Sequence, residues 1–280
     1  MSDDIRSIPT AGVAMTAIGV ALIRVMEGRR PDRLYHDPLA EAFVEAARPG
    51  FDDDRWARFE ALADQFYERR SVAVKLVDDH VLEAAATGCE QFVLLGAGLD
   101  TRAFRLGLPS GVGFFEIDLP ELFAFKEPVL AAEQARPTCA RQVVSADLSG
   151  DWARALRASG FRADLPTQWV DEGVLGYLSR EHAYDVAAAV TELSAPGSRF
   201  GIARVAVEQA APQYRALRRL VSEDGNQDRP ITGLGPDGAA WFAAHGWQTS
   251  FRGWDELTAG YGRPVAMNDP EAGNILAVRQ

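Results

Sequence analysis

From residue 87 onward, short apolar runs rich in β-formers alternate with longer segments of helical pattern, and this alternation constrains the fold more than any other feature. "QFVLL" (91–95), "VGFFEIDL" (112–119), "ARQVVSADL" (140–148), a run within "TQWVDEGVLGYL" (167–178) and "SRFGIARVAV" (198–207) read as strands. Between them lie a short helix near 99–108, then "LFAFKEPVLAAEQ", "DWARALRASGF" and "REHAYDVAAAVTELS". "GPDGAAWFAAHGW" is a further helix, followed by strands in "QTSFRGW" and "NILAVRQ". Strands without internal polar alternation, joined by helices, belong to a parallel sheet covered on both faces. The fold expected is α/β: a Rossmann-like, doubly wound, mostly parallel sheet of seven strands.

Residues 1–86 read as a helical extension or lid ahead of a core at 87–280. Residues 12–27 form an apolar helix. A second begins at "HDPLAEAFVEAA", with Asp37 as N-cap and Pro38 in the first turn. Residues 54–86 read as one long helix that Gly88 can close. A polar stretch around 208–235 reads as an insertion. The apolar run 12–26 is too short to span a bilayer and lacks a basic start, so no membrane partner is expected. Net charge is −11, from 29 basic and 40 acidic residues. Such a surface disfavours nucleic acid. The two cysteines, Cys89 and Cys139, carry no CxxC spacing, which suits a reducing cytoplasm and offers no metal framework.

Where the first core strand ends, the text is Gly96-Ala97-Gly98-Leu99-Asp100-Thr101. In a doubly wound sheet, ligands bind beyond the carboxyl ends of the strands. Gly96 permits a tight turn, and Gly98 permits close approach to the main chain. Acids follow at the next strand ends. Glu116 or Asp118 can accept bonds from two ribose hydroxyls. The Asp147 side chain with the Leu148 N–H can hold an adenine, and Glu172 falls on the same rim. A dinucleotide loop wants a third glycine where Thr101 stands, and Asp100 repels a pyrophosphate. A cofactor with adenosine and no phosphate, S-adenosylmethionine, fits better. An NAD-dependent oxidoreductase remains the second enzymatic reading, and a catalytically inactive S-adenosylmethionine-binding protein the third.

"LLGAGLDTRAFRL", "FFEIDLPELFAFK", "VSADLSGDW" and "WVDEGVLGYLS", in that order, resemble the leucine carboxyl methyltransferase family of class I S-adenosylmethionine-dependent enzymes. The similarity is closer to its bacterial branch of polyketide carboxyl and hydroxyl O-methyltransferases, and extends to "PDRLYHDPLAEAF" and "GWDELTAGYGRP". The resemblance implies that Gly96, Ala97 and Gly98 line the methionine part of the donor and that S-adenosylhomocysteine is the product. It further implies that Asp118 holds the ribose with Glu116 as neighbour, that Asp147 and Leu148 hold the adenine, and that Glu172 lies near the amino-acid tail or the acceptor. It also implies a basic residue on the helix before the first strand. Ala73 falls where relatives carry arginine, so Lys75 and, next to it in preference, Arg70 are the substitutes. The acceptor expected is a small molecule, hydrophobic or aromatic, carrying a carboxylate or a phenolic hydroxyl. A hydroxyl needs a base, whereas a carboxylate does not. His36 beside Asp37, Tyr177 and Glu172 are the catalytic candidates. Among the other histidines, His80, His182 and His245 have no defensible rim position, and Arg204 could bind an anionic acceptor. Phe43, Phe51, Trp56, Phe59, Phe66 and Tyr67 supply aromatic surface for core or pocket. A homodimer is compatible with all of this.

Overall fold

The computed structural model describes residues 8–204, 233–263, 265 and 272–280. The insertion expected around 208–235 therefore lies, up to residue 232, outside the described residues. Seven strands form one sheet: β1 (Gln91–Leu95), β2 (Gly113–Asp118), β3 (Ala140–Ser145), β4 (Thr167–Asp171), β5 (Arg199–Arg204), β6 (Trp247–Gly253) and β7 (Gly273–Arg279). Their order is β3-β2-β1-β4-β5-β7-β6. β1 to β5 are mutually parallel, and β7 runs antiparallel to both β5 and β6.

All five residues of β1 and of β4 are buried, as interior parallel strands require. Odd positions of β1 (Val93, Leu95) pack with Trp169, Phe200 and the helices α6 (Trp152–Ala158), α7 (Arg180–Glu192) and α8 (Gly238–Ala244). Even positions (Phe92, Leu94) pack with Phe114 and with Val81 and Ala84 of α3 (Asp53–Ala86). Register brings the strand tips level. Leu95 pairs with Ile117 on one side and Asp171 on the other, and Asp118 pairs with Ser145.

Ahead of the sheet lie α1 (Ala14–Gly28), α2 (Pro38–Ala47) and α3. Asp37 caps α2 by accepting from the Ala40 N–H at 3.2 Å, and Asp52 caps α3 by accepting from Arg55 at 2.7 Å. α3 ends before Gly88, whose φ is +91°. This helix crosses the boundary drawn at residue 86 in packing terms. Trp56, Phe59 and Leu62 belong to a cluster with α1 and α2, whereas Val81 and Ala84 belong to the sheet. The extension and the core thus share a helix, because 34 consecutive helical residues are long enough to serve both. Phe43, Phe51, Trp56 and Phe59 are buried against one another, Phe51 lying 5.4 Å from Trp56 and 5.7 Å from Phe59 between ring centroids. They build the core of the N-terminal helices. The same cluster includes Leu122 and Phe125 of α5 (Pro120–Ala132) and Leu99 of the glycine loop, which seats α1 over that loop. No helix among the described residues is long and apolar enough to cross a membrane.

Candidate functional site

The chain leaves β1 through Gly96 and Gly98, with φ of +65° and +54°. Both values lie in the left-handed region that glycine adopts without a Cβ clash. A Cβ at Gly96 would lie 2.6 Å from the Val174 side chain, and one at Gly98 would lie 3.3 Å from Ala17 of α1. The two glycines therefore also admit the β4 turn and α1. Between them, the Ala97 N–H donates to the Ile117 carbonyl at 2.9 Å and holds the loop to the β2 tip. Asp118 finishes β2. One of its carboxylate oxygens accepts from the Gly98 N–H at 2.6 Å and the other from the Leu119 N–H at 2.7 Å. Each oxygen keeps a lone pair for a further donor, which is what a ribose diol requires. Burial pushes the Asp118 carboxyl up from its ordinary value, and the Gly98 and Leu119 amides and Lys126 oppose that rise only in part.

At the β4 tip, Asp171 turns the chain by accepting from Gly173 at 2.9 Å and Leu175 at 3.3 Å. Glu172 follows. Arg70 of α3 donates to the Glu172 main-chain carbonyl at 2.9 Å, and its second terminal nitrogen lies 3.8 Å from the Glu172 carboxylate. The Nε of Arg70 is buried with no hydrogen-bond partner. Tyr177 stands half-buried at the end of the 3-10 turn Leu175–Tyr177 that follows.

Beneath these groups runs a buried ionic network. Arg102 of α4 (Arg102–Arg105), 1% exposed, donates to Asp78 at 2.7 Å, to Asp100 at 2.5 Å and to Glu172. Arg105 donates to Asp78 at 2.6 and 2.7 Å. Thr101 donates to Asp37 at 2.6 Å, and Arg24 of α1 lies 3.3 Å from Asp37 and donates to the Leu99 carbonyl at 2.6 Å. Four arginines (24, 70, 102, 105) meet four carboxylates (37, 78, 100, 172), so the network is neutral. Burial alone would raise Asp100, but Arg102, with Lys126 and Arg105 further off, holds its carboxyl below the usual range.

Several expectations are met differently. Glu116 does lie on the same face of β2 as Asp118, but it is fully buried and bonded to Lys126 at 2.7 Å and to Arg141 at 3.0 and 2.7 Å. Those bonds occupy the carboxylate, so it offers nothing to a ribose. Lys75 pairs with Asp79 and lies 5.6 Å from the Tyr261 ring centroid, while Arg70 reaches Glu172. Lys75 and Arg70 occupy different sides of α3. His36 is exposed beside Gly28, where a Cβ would meet its Nδ1 at 3.2 Å. That is the far end of α1 from Ala17, roughly 16 Å along the helix. Asp37 turns inward to the network and His36 outward, because adjacent residues at a helix entry point apart. Asp147 is exposed in the turn after β3, accepting from Ser149 at 2.8 Å, and Leu148 packs into the core. Arg204 closes β5, and only its backbone is described.

Sequence reasoning did not find Arg24, Arg102 and Arg105. A signal was present: "RAFR" places two arginines three apart, on one helical face, and Arg24 interrupts an otherwise apolar helix.

Comparison with solved structures supports the same fold. A methyltransferase-assigned protein from Thermobifida fusca is 19% identical, with a TM-score of 0.54 over 92% of this chain and 97% of that one. A DUF574 family protein from Streptomyces avermitilis is 15% identical, with a TM-score of 0.56 over 98% of this chain and all of the other. The family model and the curated relatives define a methyltransferase whose methyl donor is S-adenosylmethionine. A protein of Parafrankia sp., assigned to the S-adenosyl-L-methionine-dependent methyltransferases, is 40% identical over 97% of this chain and 88% of its own length. One of Streptomyces coelicolor with the same assignment is 38% identical over 98% of both. The family model described as leucine carboxyl methyltransferase matches residues 17–191, and the chain belongs to that family.

Proposed function

We propose that the chain transfers a methyl group to a carboxylate oxygen of a small hydrophobic or aromatic molecule, a natural product by class. One observation carries the site assignment: a guanidinium and a carboxylate, Arg70 and Glu172, stand 3.8 Å apart at the β4 tip beside the glycine turn. An amino-acid zwitterion is complementary to such a pair, its carboxylate to Arg70 and its ammonium to Glu172. The Arg70 Nε without a partner is a donor ready for that carboxylate. A dinucleotide carries no amino-acid tail. The backbone of Gly96, Ala97 and Gly98 would line the methionine part, Asp118 would take the ribose hydroxyls, and Asp147 with the Leu148 N–H would take the adenine. Lys75, paired with Asp79, is left out of this set.

Bound there, the donor supplies a methyl carbon already activated by a sulfonium. The chain's own residues must then align the acceptor oxygen with that carbon and exclude water. α1, seated on Gly98 and fastened by Arg24 to Leu99, would do the excluding. A carboxylate acceptor is preferred over a phenol because it needs no base, whereas a phenol needs one, and a catalytic histidine is commonly aimed by an orienting hydrogen bond. Among the described residues, His36, His80 and His182 make no hydrogen bond through their rings, and His245 Nδ1 faces the Trp241 carbonyl of its own helix at 2.7 Å. Tyr177, which follows Glu172 on the same turn, would contact the acceptor.

The test uses donor with a labelled methyl group and paired acceptors, aromatic carboxylic acids and the matching phenols. The expected product is a base-labile methyl ester from the acids. Base-stable ethers alone would move the assignment to hydroxyl methylation. Product binding with no turnover of any acceptor would favour an inactive donor-binding protein.

A further inference from the structure

We infer that Arg102 is a positioning residue: it fixes the Glu172 carboxylate for the donor's ammonium and couples it to α3 and to the glycine loop. The inference rests on the donor reading above and goes beyond it to a buried group that touches no ligand. Glu172 has two carboxylate oxygens. Arg102 Nη1 holds Oε1, while Oε2 faces Arg70, the side chain being 20% exposed. One guanidinium thus sets the direction in which the second oxygen points.

Arg102 is itself overdetermined. Its Nε donates to Asp78 at 2.7 Å, Nη1 to Asp100 at 2.5 Å, Nη2 to the Val74 carbonyl at 3.4 Å, and its backbone N–H to Asp100 at 2.7 Å. Asp78 and Val74 belong to α3, the helix that also carries Arg70, and Asp100 lies two residues after Gly98 in the loop. The two ends of the zwitterion clamp, Arg70 and Glu172, are therefore tied to one helix through Arg102. A planar fork with fixed donor directions can do this, and a lysine ammonium cannot.

The experiment is calorimetric titration of the folded full chain with two ligands, S-adenosylhomocysteine and 5′-methylthioadenosine. They share adenosine and a thioether, and only the first has an amino-acid tail. Arg102→Lys is expected to weaken S-adenosylhomocysteine at least tenfold and to leave 5′-methylthioadenosine within about twofold. Glu172→Gln should give the same selective loss, and the double variant should bind no worse than Glu172→Gln alone, because the two residues act through one contact. If Arg102→Lys does not fold, Asp100→Asn loosens the same guanidinium with Glu172 intact and should shift the affinity ratio in the same direction. Equal loss of both ligands, an additive double variant, or an unchanged ratio in Asp100→Asn overturns the proposal alone. Failure of the unmodified chain to bind either ligand overturns the donor reading and the proposal with it.

Discussion

Asp78→Ala lowers the stability of the folded chain by about 3–5 kcal/mol, the usual cost of removing one partner from a buried ion pair. Asp78 is 2% exposed and accepts from both Arg102 and Arg105. Without it, two guanidiniums stay buried with three donated bonds unmade. The remaining carboxylates, Asp37, Asp100 and Glu172, lie toward other donors and cannot fill the gap without moving α4. For a chain of this size the expected fall in Tm is on the order of 10 °C. Its sequence neighbour is the control. Asp79 is more exposed and pairs with Lys75 and Tyr261, so Asp79→Ala should cost under about 1 kcal/mol. Differential scanning calorimetry of the two variants separates the cases; equal shifts would mean that the network does not depend on its buried carboxylate.

Asp118→Ala weakens donor and product binding by more than tenfold. A carboxylate that accepts from ribose hydroxyls contributes about 1.5–3 kcal/mol through charged hydrogen bonds, and a factor of ten needs only about 1.4 kcal/mol. The pH dependence has a defined sign. The ionised form is the better acceptor, and burial raises the Asp118 pKa above the ordinary 3.8. Affinity is therefore full above that raised value and falls as pH drops through it, at a higher pH than an ordinary aspartate would give. Asp118→Asn removes that acid limb while preserving shape. Affinity for S-adenosylhomocysteine measured across pH for both chains decides it. An acid limb unchanged in the Asn variant would assign the titration to another group.

Legibility followed physical range. The strand tips were readable because each strand is a local apolar run, and tips in a parallel sheet gather at one edge whatever lies between them. Gly96, Gly98 and the choice between Glu116 and Asp118 came from that rule, and the family resemblance picked out Asp118. β7 running antiparallel was not readable, since no local pattern distinguishes a strand inserted between β5 and β6 from one added at the edge. Glu116 misled for a related reason. It shares a face with Asp118, but Lys126 and Arg141, which consume its charge, come from α5 and β3. Lys75 and Arg70 differ by five positions on one helix, and only the helix's rotation against β4 shows which one meets Glu172. His36 was named because it neighbours Asp37 in a segment that could fold over the site, and only the structure shows it exposed while Asp37 turns to the network.

Central to this account is that the rim of β1, β2 and β4 clasps an adenosyl amino acid. Titration of the full-length chain with S-adenosylhomocysteine and, separately, with NAD tests this directly. Saturable heat at one site for the first and none for the second is the predicted result. Binding of NAD without binding of S-adenosylhomocysteine would contradict it.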